Sequence, residues 1–533
     1  MIEWIKNRFK ERETKEILQW ETNDSILSFL KKNIDNDGSL KEGADTLPDE
    51  KRAADQIKFA PGLMDSMFGA DDSDESKKRI KKLTNLIIEI SKNGGEQSKS
   101  DFYREITEND SVIGIIDEFL QKLVETSLSV APYLFNYAYS LATKTSNRNS
   151  VKFGIAILGL CQNKKPIEDI KTLGLHDEFT VFSTIALSSL SDNLILDLWQ
   201  LAKQVDGWGK IQLVDRLAEM ELTDEIRDWL VLEGYNNSIM FEYLALTCAI
   251  NGRLNDKLRS ESIDQGLFDS AADIIVALMD EGPAEGMSGY MEANETIENY
   301  IRHSKSKSLN ISNFITLHRI KDYLEESPEE NDILKNWNEN DLSNCLIDIN
   351  EILTYKDWTS EVQIALNSSN NVEFWNGKQA AQKLEIDITE TLWNRLDKYS
   401  LDSTSWYDIT THIKAVNPQK IVEKATSLIP LKEISTGPKD SMGVGPDYQK
   451  HQSLDYVITF LQDHPMIGEE IILAGLKSPV TRNRNMTLKA LEKWTAENWS
   501  NDIVIELEKL KELEPTIGTK ENLDRLLKGE RLT

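Results

Sequence analysis

Residues 478–494 read Ser-Pro-Val-Thr-Arg-Asn-Arg-Asn-Met-Thr-Leu-Lys-Ala-Leu-Glu-Lys-Trp and carry the clearest helical signal in the chain. Pro479 stands where a proline can open a helix, because the first helical residue needs no intrahelical N–H bond. Apolar residues then recur at helical spacing, at Met486, Ala490, Leu491 and Trp494. The stretch therefore predicts an amphipathic helix that packs one face on its neighbours.

A second stretch, residues 207–230, repeats this kind of signal. Gly207-Trp208-Gly209-Lys210 leads into an apolar series at helical spacing, and a second helix is predicted to follow from residue 224. Thr223 is placed to cap that helix, with two acidic residues in its first turn to complement the helix dipole. Two such stretches far apart indicate one repeated helical architecture along much of the chain.

Both stretches resemble helices of HEAT-type repeats. The matching positions are Ser478, Pro479, Arg484, Ala490 and Leu491, with Asn483 in place of the usual valine, and Asp224-Glu225-Ile226-Arg227, which resembles an Asp-x-Val-Arg core. Over about residues 110–530 the chain is similar to a family of uncharacterised HEAT-like proteins of Gram-positive bacteria, some of which are labelled limonene hydroxylase. The resemblance implies an all-α fold, an irregular HEAT/armadillo-like α-solenoid of stacked helical hairpins. The label implies a monooxygenase.

The composition describes a folded, strongly acidic chain. It has 533 residues, 40% of them hydrophobic, and 61 Lys and Arg against 90 Asp and Glu give a net charge of −29. A chain of this length exceeds one compact core, so we expect several domains or an extended array. The charge repels nucleic acid and anionic lipid and favours basic partners.

Three separated cysteines, Cys161, Cys248 and Cys345, lie among apolar residues and form no Cys-x-x-Cys pair. They indicate buried thiols in a reducing compartment. The N-terminal residues lack the apolar core of a signal peptide, and no apolar run has the length of about 18 residues that a spanning helix needs. The sequence predicts a cytoplasmic protein without a membrane partner.

Changes in composition along the chain predict its organisation. Residues 35–76 hold 12 acidic and 4 basic side chains, which indicates a polar linker. The predicted order is an N-terminal helix (1–34), an acidic linker (35–76), two helical repeat regions (77–303 and 304–434), a Gly/Pro loop (435–452) and C-terminal HEAT-like helices (453–533).

Motifs for common chemistries are missing. The sequence has no Gly-x-x-x-x-Gly-Lys-Ser/Thr phosphate loop, no Gly-x-Gly-x-x-Gly between a strand and a helix, no His-Glu-x-x-His and no Glu-x-x-His pair. None of the three cysteines stands in a haem-thiolate motif. We predict no cofactor, no metal and no catalytic residue, while a site assembled from distant residues stays open.

The loop 435–452 is the best candidate site, because long loops in helical domains are more often functional or disordered than neutral. Lys450 and His451 close it, and Arg482 and Arg484 begin a helix expected one hairpin away, with Lys489 and Lys493 further along. Such a cationic patch would grip a partner's carboxylate or phosphate. The alternative is that Arg484 makes the inter-repeat hydrogen bond of a HEAT arginine. The predicted partner-binding residues are Lys450, His451, Arg482, Arg484, Trp494, Trp208 and Arg227.

Three functions follow from these patterns. We expect a protein-binding scaffold that uses a solenoid groove and prefers basic or extended partner segments. A monooxygenase with an unrecognised site is the first alternative, and a co-purifying chromophore or metal would identify it. The second alternative is a HEAT-like DNA-repair protein, which needs a basic face and salt-dependent DNA binding.

Overall fold

The computed structural model describes residues 24–50, 73–108, 113–126, 132–282, 284–326, 337–412 and 417–532. Within these ranges the chain is all-α: it forms α-helices and short π and 3₁₀ turns, and the only β pairing is two isolated bridges, Ile34–Leu40 and Ser441–Val480. None of the helices in these ranges combines the length and the apolar character that crossing a bilayer requires. The described residues divide into two compact units, one within residues 24–356 and the other within residues 357–532.

The first unit contains seventeen described helices. They are α1 (Ile26–Lys32), α2 (Asp74–Asn93), α3 (Glu96–Thr107), α4 (Ile113–Glu125), α5 (Pro132–Lys144), α6 (Arg148–Leu160), α7 (Ile167–Gly174), α8 (Asp177–Leu190), α9 (Leu194–Ala202), α10 (Gly207–Ala218), α11 (Asp224–Trp229), α12 (Glu242–Asn251), α13 (Leu254–Leu258), α14 (Gln265–Met279), α15 (Ala293–Ser304), α16 (Ile311–Leu324) and α17 (Glu339–Thr354). A π-helical turn, Leu230–Gly234, directly extends α11.

Contacts between alternate helices recur along the first unit. From α6 to α16, each even-numbered helix contacts the next even-numbered helix, while α7 contacts α9, α13 contacts α15 and α15 contacts α17. The sequence supplies the start signals, as at α11, where the Thr223 hydroxyl accepts the Ile226 N–H at 3.4 Å. Helix α8 is largely buried, with Phe179, Phe182 and Leu187 among its core residues.

The N-terminal part of the predicted acidic linker packs on the first unit. Ala44 and Leu47 are buried, and Asp49 makes a forked ion pair with Arg148, whose Nη2 lies 3.0 Å from the carboxylate. The carbonyl of Asp45 meets Nε2 of His176 at 3.1 Å. Residues 44–50 therefore belong to the folded unit, because their charges find specific partners. At the other end of the predicted linker, α2 already begins at Asp74.

The predicted domain boundaries can be compared with the structure only where the residues are described. Of the helix expected over residues 1–34, residues 1–23 lie outside the described residues, and α1 spans Ile26–Lys32 of the remainder. The boundary expected at 303/304 falls inside the first unit, and the units divide instead at 356/357. The reason is that α15 buries Ile297, Tyr300 and Ile301 and packs on both α14 and α17.

The second unit contains eleven described helices: α18 (Thr359–Leu366), α19 (Asn371–Lys383), α20 (Thr389–Lys398), α21 (Ser403–Thr411), α22 (Pro418–Leu428), α23 (Leu431–Ile434), α24 (Gln449–Leu461), α25 (Glu469–Leu476), α26 (Thr481–Trp494), α27 (Asn501–Leu513) and α28 (Ile517–Leu527). The series α21, α24, α26 and α28 packs side by side, and α22, α25 and α27 form a second layer. Helix α26 begins at Thr481, two residues after Pro479, because Val480 is held in extended conformation by its bridge to Ser441.

Candidate functional site

Arg484 lies at the centre of the second unit and not at its surface. Its side chain and that of Glu514 are fully buried, with Nε and Nη2 donating to the two carboxylate oxygens at 2.6 and 2.7 Å. Its Nη1 also donates to the carbonyl of Ser478 at 2.9 Å. These contacts hold α26 against the segment that enters α28, which is the structural role the sequence left open as the alternative.

His451 is buried in a hydrogen-bond network beside this ion pair. Its Nδ1 lies 2.8 Å from the Asn483 Oδ1, and the Asn483 amide donates in turn to the His451 carbonyl at 2.9 Å. Because an amide oxygen only accepts, Nδ1 must carry the proton. Burial is the main cause that lowers the pKa of His451, so the ring stays neutral at physiological pH.

Ser478, His451 and Asp455 bring together the residue types of a nucleophilic triad, but their arrangement does not support that chemistry. The Ser478 hydroxyl lies 3.2 Å from Nδ1 of His451, is completely buried and donates to Asn483 at 2.7 Å. Asp455 bonds Asn483 and Arg482 instead of the histidine. A serine that is buried and already hydrogen-bonded gives a substrate no access. The network instead has a structural role, because it joins α24 to α26.

The predicted cationic patch carries little free charge. Lys450 pairs with Glu433 at 3.1 Å, Arg482 pairs with Asp455, and Lys493 pairs with Asp463 at 3.0 Å. Each of these three cations therefore has a local carboxylate, whereas the exposed Lys489 makes no ion pair within the described ranges.

The remaining predicted residues make internal contacts. Trp494 is buried, and its indole N–H donates to the carbonyl of Leu461 at 2.7 Å. In the first unit, the half-buried Trp208 packs on Tyr243 with ring centroids 5.1 Å apart, and Arg227 donates to the carbonyl of Asn251 at 2.6 Å. Trp208 and Arg227 are each only partly buried, so part of their surface stays available to a partner, whereas Trp494 is buried.

The loop after α23 is fixed to its surroundings by backbone bonds. Gly437 N–H donates to the carbonyl of Lys477, and Thr481 N–H donates to the carbonyl of Ser441, both at 2.9 Å. Gly443 and Gly445 adopt φ of 67° and 107°, which lets the chain turn sharply between these anchors. The turn leaves Met442 and Val444 largely exposed, at 45% and 58%. The loop is thus held in place by backbone hydrogen bonds and exposes two apolar side chains. We call this loop, residues 435–448, the bracket.

An apolar cleft of about 870 Å³ lies next to this bracket, between α22, α23 and α25. Its lining includes the apolar residues Leu428, Pro430, Leu431, Leu473 and Ala474. It also includes the polar and charged residues Thr426, Lys432, Glu433, Glu470 and Lys477, of which Lys432, Glu433 and Glu470 are exposed. We call this feature the α22–α25 cleft. Sequence reasoning missed it, because its two walls are about 45 residues apart and neither wall has a distinctive motif.

Within the described ranges, no three or more His, Cys, Asp or Glu side chains are grouped so that they could hold a metal ion. Burial raises the pKa of the Cys161 and Cys345 thiols to about 11 and about 12, so neither is a nucleophile at neutral pH.

Comparison with known proteins adds no family to this description. No model of a known protein family matches the chain, and no curated protein matches its sequence.

Proposed function

We propose that this protein is a non-enzymatic scaffold that binds an extended, basic segment of another protein, and that its hairpins form an irregular α-solenoid of the HEAT/armadillo kind. The α22–α25 cleft is the observation that carries the proposal. Its lining combines apolar side chains with exposed polar and charged ones, an arrangement that can accept an apolar side chain and orient the backbone around it.

The packing of the helices supports a rigid recognition surface. Within the second unit, α22 packs on α24 and α25, and α23 packs on α25, so the elements that line the cleft are fixed by their neighbours. A preorganised cleft loses little conformational entropy on binding, which suits capture of a flexible segment. The exposed Met442 and Val444 extend the apolar surface on the adjacent bracket.

Charge sets the class of partner. Among the residues that line the cleft, Lys432 and Lys477 balance Glu433 and Glu470, so the lining itself favours neither acidic nor basic partners. The whole chain carries −29, and this field attracts a basic segment and repels nucleic acid. We therefore propose a segment that places an apolar residue among lysines or arginines.

The three separated cysteines are unpaired and buried, which supports our placement of the protein in the cytoplasm.

A panel of fluorescent 15-residue peptides tests the proposal by polarisation with the full-length chain. The panel varies the apolar anchor and the sign of the flanking charges. Basic peptides with a Leu or Met anchor are expected to bind, and acidic peptides with the same anchor are not. In Leu473→Glu and Leu431→Glu, a bound apolar side chain would have to desolvate a carboxylate, so affinity should fall by about 10-fold or more.

Ile364→Glu is the matched control. Ile364 is 72% exposed on α18 and does not line the cleft, so this variant makes the same charge change elsewhere. Binding that survives in the control and falls in both cleft variants supports the proposal. Failure of every basic peptide to bind, or equal loss in all three variants, refutes it.

A further inference from the structure

A polar pocket of about 600 Å³ lies elsewhere in the second unit. It is formed where the turn between α20 and α21 meets the starts of α19 and α24. The side chains that carry the argument are Arg395, Lys398, Ser403, Thr404, Gln449 and Gln452. Unlike the α22–α25 cleft, this pocket is lined mainly by hydrogen-bonding groups, and we call it the α20–α21 pocket.

Arg395 forms the inner wall of the pocket in a fixed orientation. Its side chain is only 8% exposed, and its guanidinium carbon lies 3.8 Å from the ring centre of Phe374. Nε donates to Asp402 at 2.7 Å, Nη1 to the carbonyl of Ser368 at 3.1 Å and Nη2 to the Asn371 side chain at 2.9 Å. Three of the five N–H donors are thus satisfied by the described chain, and each terminal nitrogen keeps one more.

The same arginine changes how α21 is capped. Asp402 occupies the N-cap position, yet its carboxylate accepts no backbone N–H of the helix, because it is bound to Arg395 and to the Ser405 hydroxyl at 2.8 Å. The N–H groups of Ser403 and Thr404 therefore begin α21 without a side-chain cap.

Several polar side chains around the pocket have no partner. The hydroxyls of Ser403 and Thr404 and the amides of Gln449 and Gln452 make no hydrogen bond within the described ranges. Lys398 is exposed and rests 5.0 Å from the ring centre of Tyr399, without a carboxylate partner in those ranges. Since Asp402 neutralises Arg395, Lys398 leaves the pocket with one net positive charge.

We propose that the α20–α21 pocket binds a small phosphate monoester with a hydroxylated body, such as a sugar phosphate. A phosphate group has three terminal oxygens and can use more of the available donors than a carboxylate can: the Lys398 ammonium, the first N–H groups of α21 and the hydroxyls of Ser403 and Thr404. The glutamine amides suit the hydroxyls of the ligand body. The volume lies in the usual range for small-molecule sites.

Isothermal titration of the full-length protein at constant ionic strength tests this assignment. The probes are ribose 5-phosphate, glycerol 3-phosphate, inorganic phosphate and glycerate. Ribose 5-phosphate is expected to bind more tightly than inorganic phosphate, and glycerol 3-phosphate more tightly than glycerate. Lys398→Gln and Thr404→Val, both surface changes that leave Arg395 in place, should each weaken ribose 5-phosphate binding, by about 10-fold and by several-fold respectively.

Lys489→Gln is the charge-matched control, because Lys489 is exposed on α26 and does not line the pocket. Unchanged binding in this variant with weakened binding in the other two supports the site. The proposal is overturned if none of the phosphate esters binds at millimolar concentration, if glycerate equals glycerol 3-phosphate, or if Lys489→Gln weakens binding as much as Lys398→Gln.

Discussion

The buried ion pair between Arg484 and Glu514 predicts a strong, asymmetric response to mutation. Both side chains are fully buried, and two charge-assisted hydrogen bonds of 2.6 and 2.7 Å join them. Arg484→Met leaves the Glu514 carboxylate without its cation in a site that water does not reach. Removal of one partner of such a pair costs about 3–5 kcal/mol.

The double variant Arg484→Met/Glu514→Leu removes both charges together. Buried pairs replaced by apolar residues of similar size are often neutral or more stable, so the double variant should lie within about 1 kcal/mol of the wild type or above it. A large favourable coupling between the two substitutions is the expected signature, since each single change leaves an uncompensated charge that the other removes.

Hydrogen exchange followed by mass spectrometry is the suitable assay. A chain with two compact units need not unfold in one step, so a global midpoint would average over both units. Peptides from residues 478–516 report the local opening free energy where the ion pair lies. A change below about 1 kcal/mol in Arg484→Met, or additive losses in the double variant, would refute the reasoning.

Two further predictions concern the first unit. Burial raises the pKa of Asp177 from 3.8 to about 7, so its contribution to stability is complete below about pH 4 and is lost as the pH rises toward 7. Asp177→Asn should flatten this part of the pH profile of exchange at the start of α10, and a profile parallel to the wild type would contradict this. In Gly154→Ala, the new Cβ would lie 2.4 Å from the backbone nitrogen of Ala142, forcing α5 and α6 apart, so the local opening free energy that exchange reports for these two helices should fall by about 1–3 kcal/mol. Gly518→Ala, whose new Cβ meets no atom within 4 Å, is its control and should not lower the opening free energy of α28.

The helical class could be predicted because its cause is local. Apolar spacing, caps such as Thr223 and the lack of alternating strand patterns specify helices residue by residue. The residue at which a helix begins was harder to predict. Pro479 suggested an earlier first residue for α26, whereas the bridge to Ser441, which is distant in sequence, keeps Val480 extended. Local propensity could not anticipate that contact.

The candidate sites depended on contacts across the sequence. Arg484, His451 and Trp494 were singled out as partner-binding residues, and the structure buries all three, since their partners Glu514, Asn483 and Leu461 come from other parts of the chain. A charged residue type does not reveal whether a carboxylate 30 residues away will meet it.

Composition and local patterns are enough to establish that this chain is helical, acidic and rich in core-forming residues. Which cations stay free depends on tertiary packing, and so do the cleft between residues 426–435 and 470–477 and the polar pocket lined by residues 398–404. Helices form from hydrogen bonds and side-chain patterns within a few residues, whereas a cavity is the space left between elements that pack from distant parts of the chain.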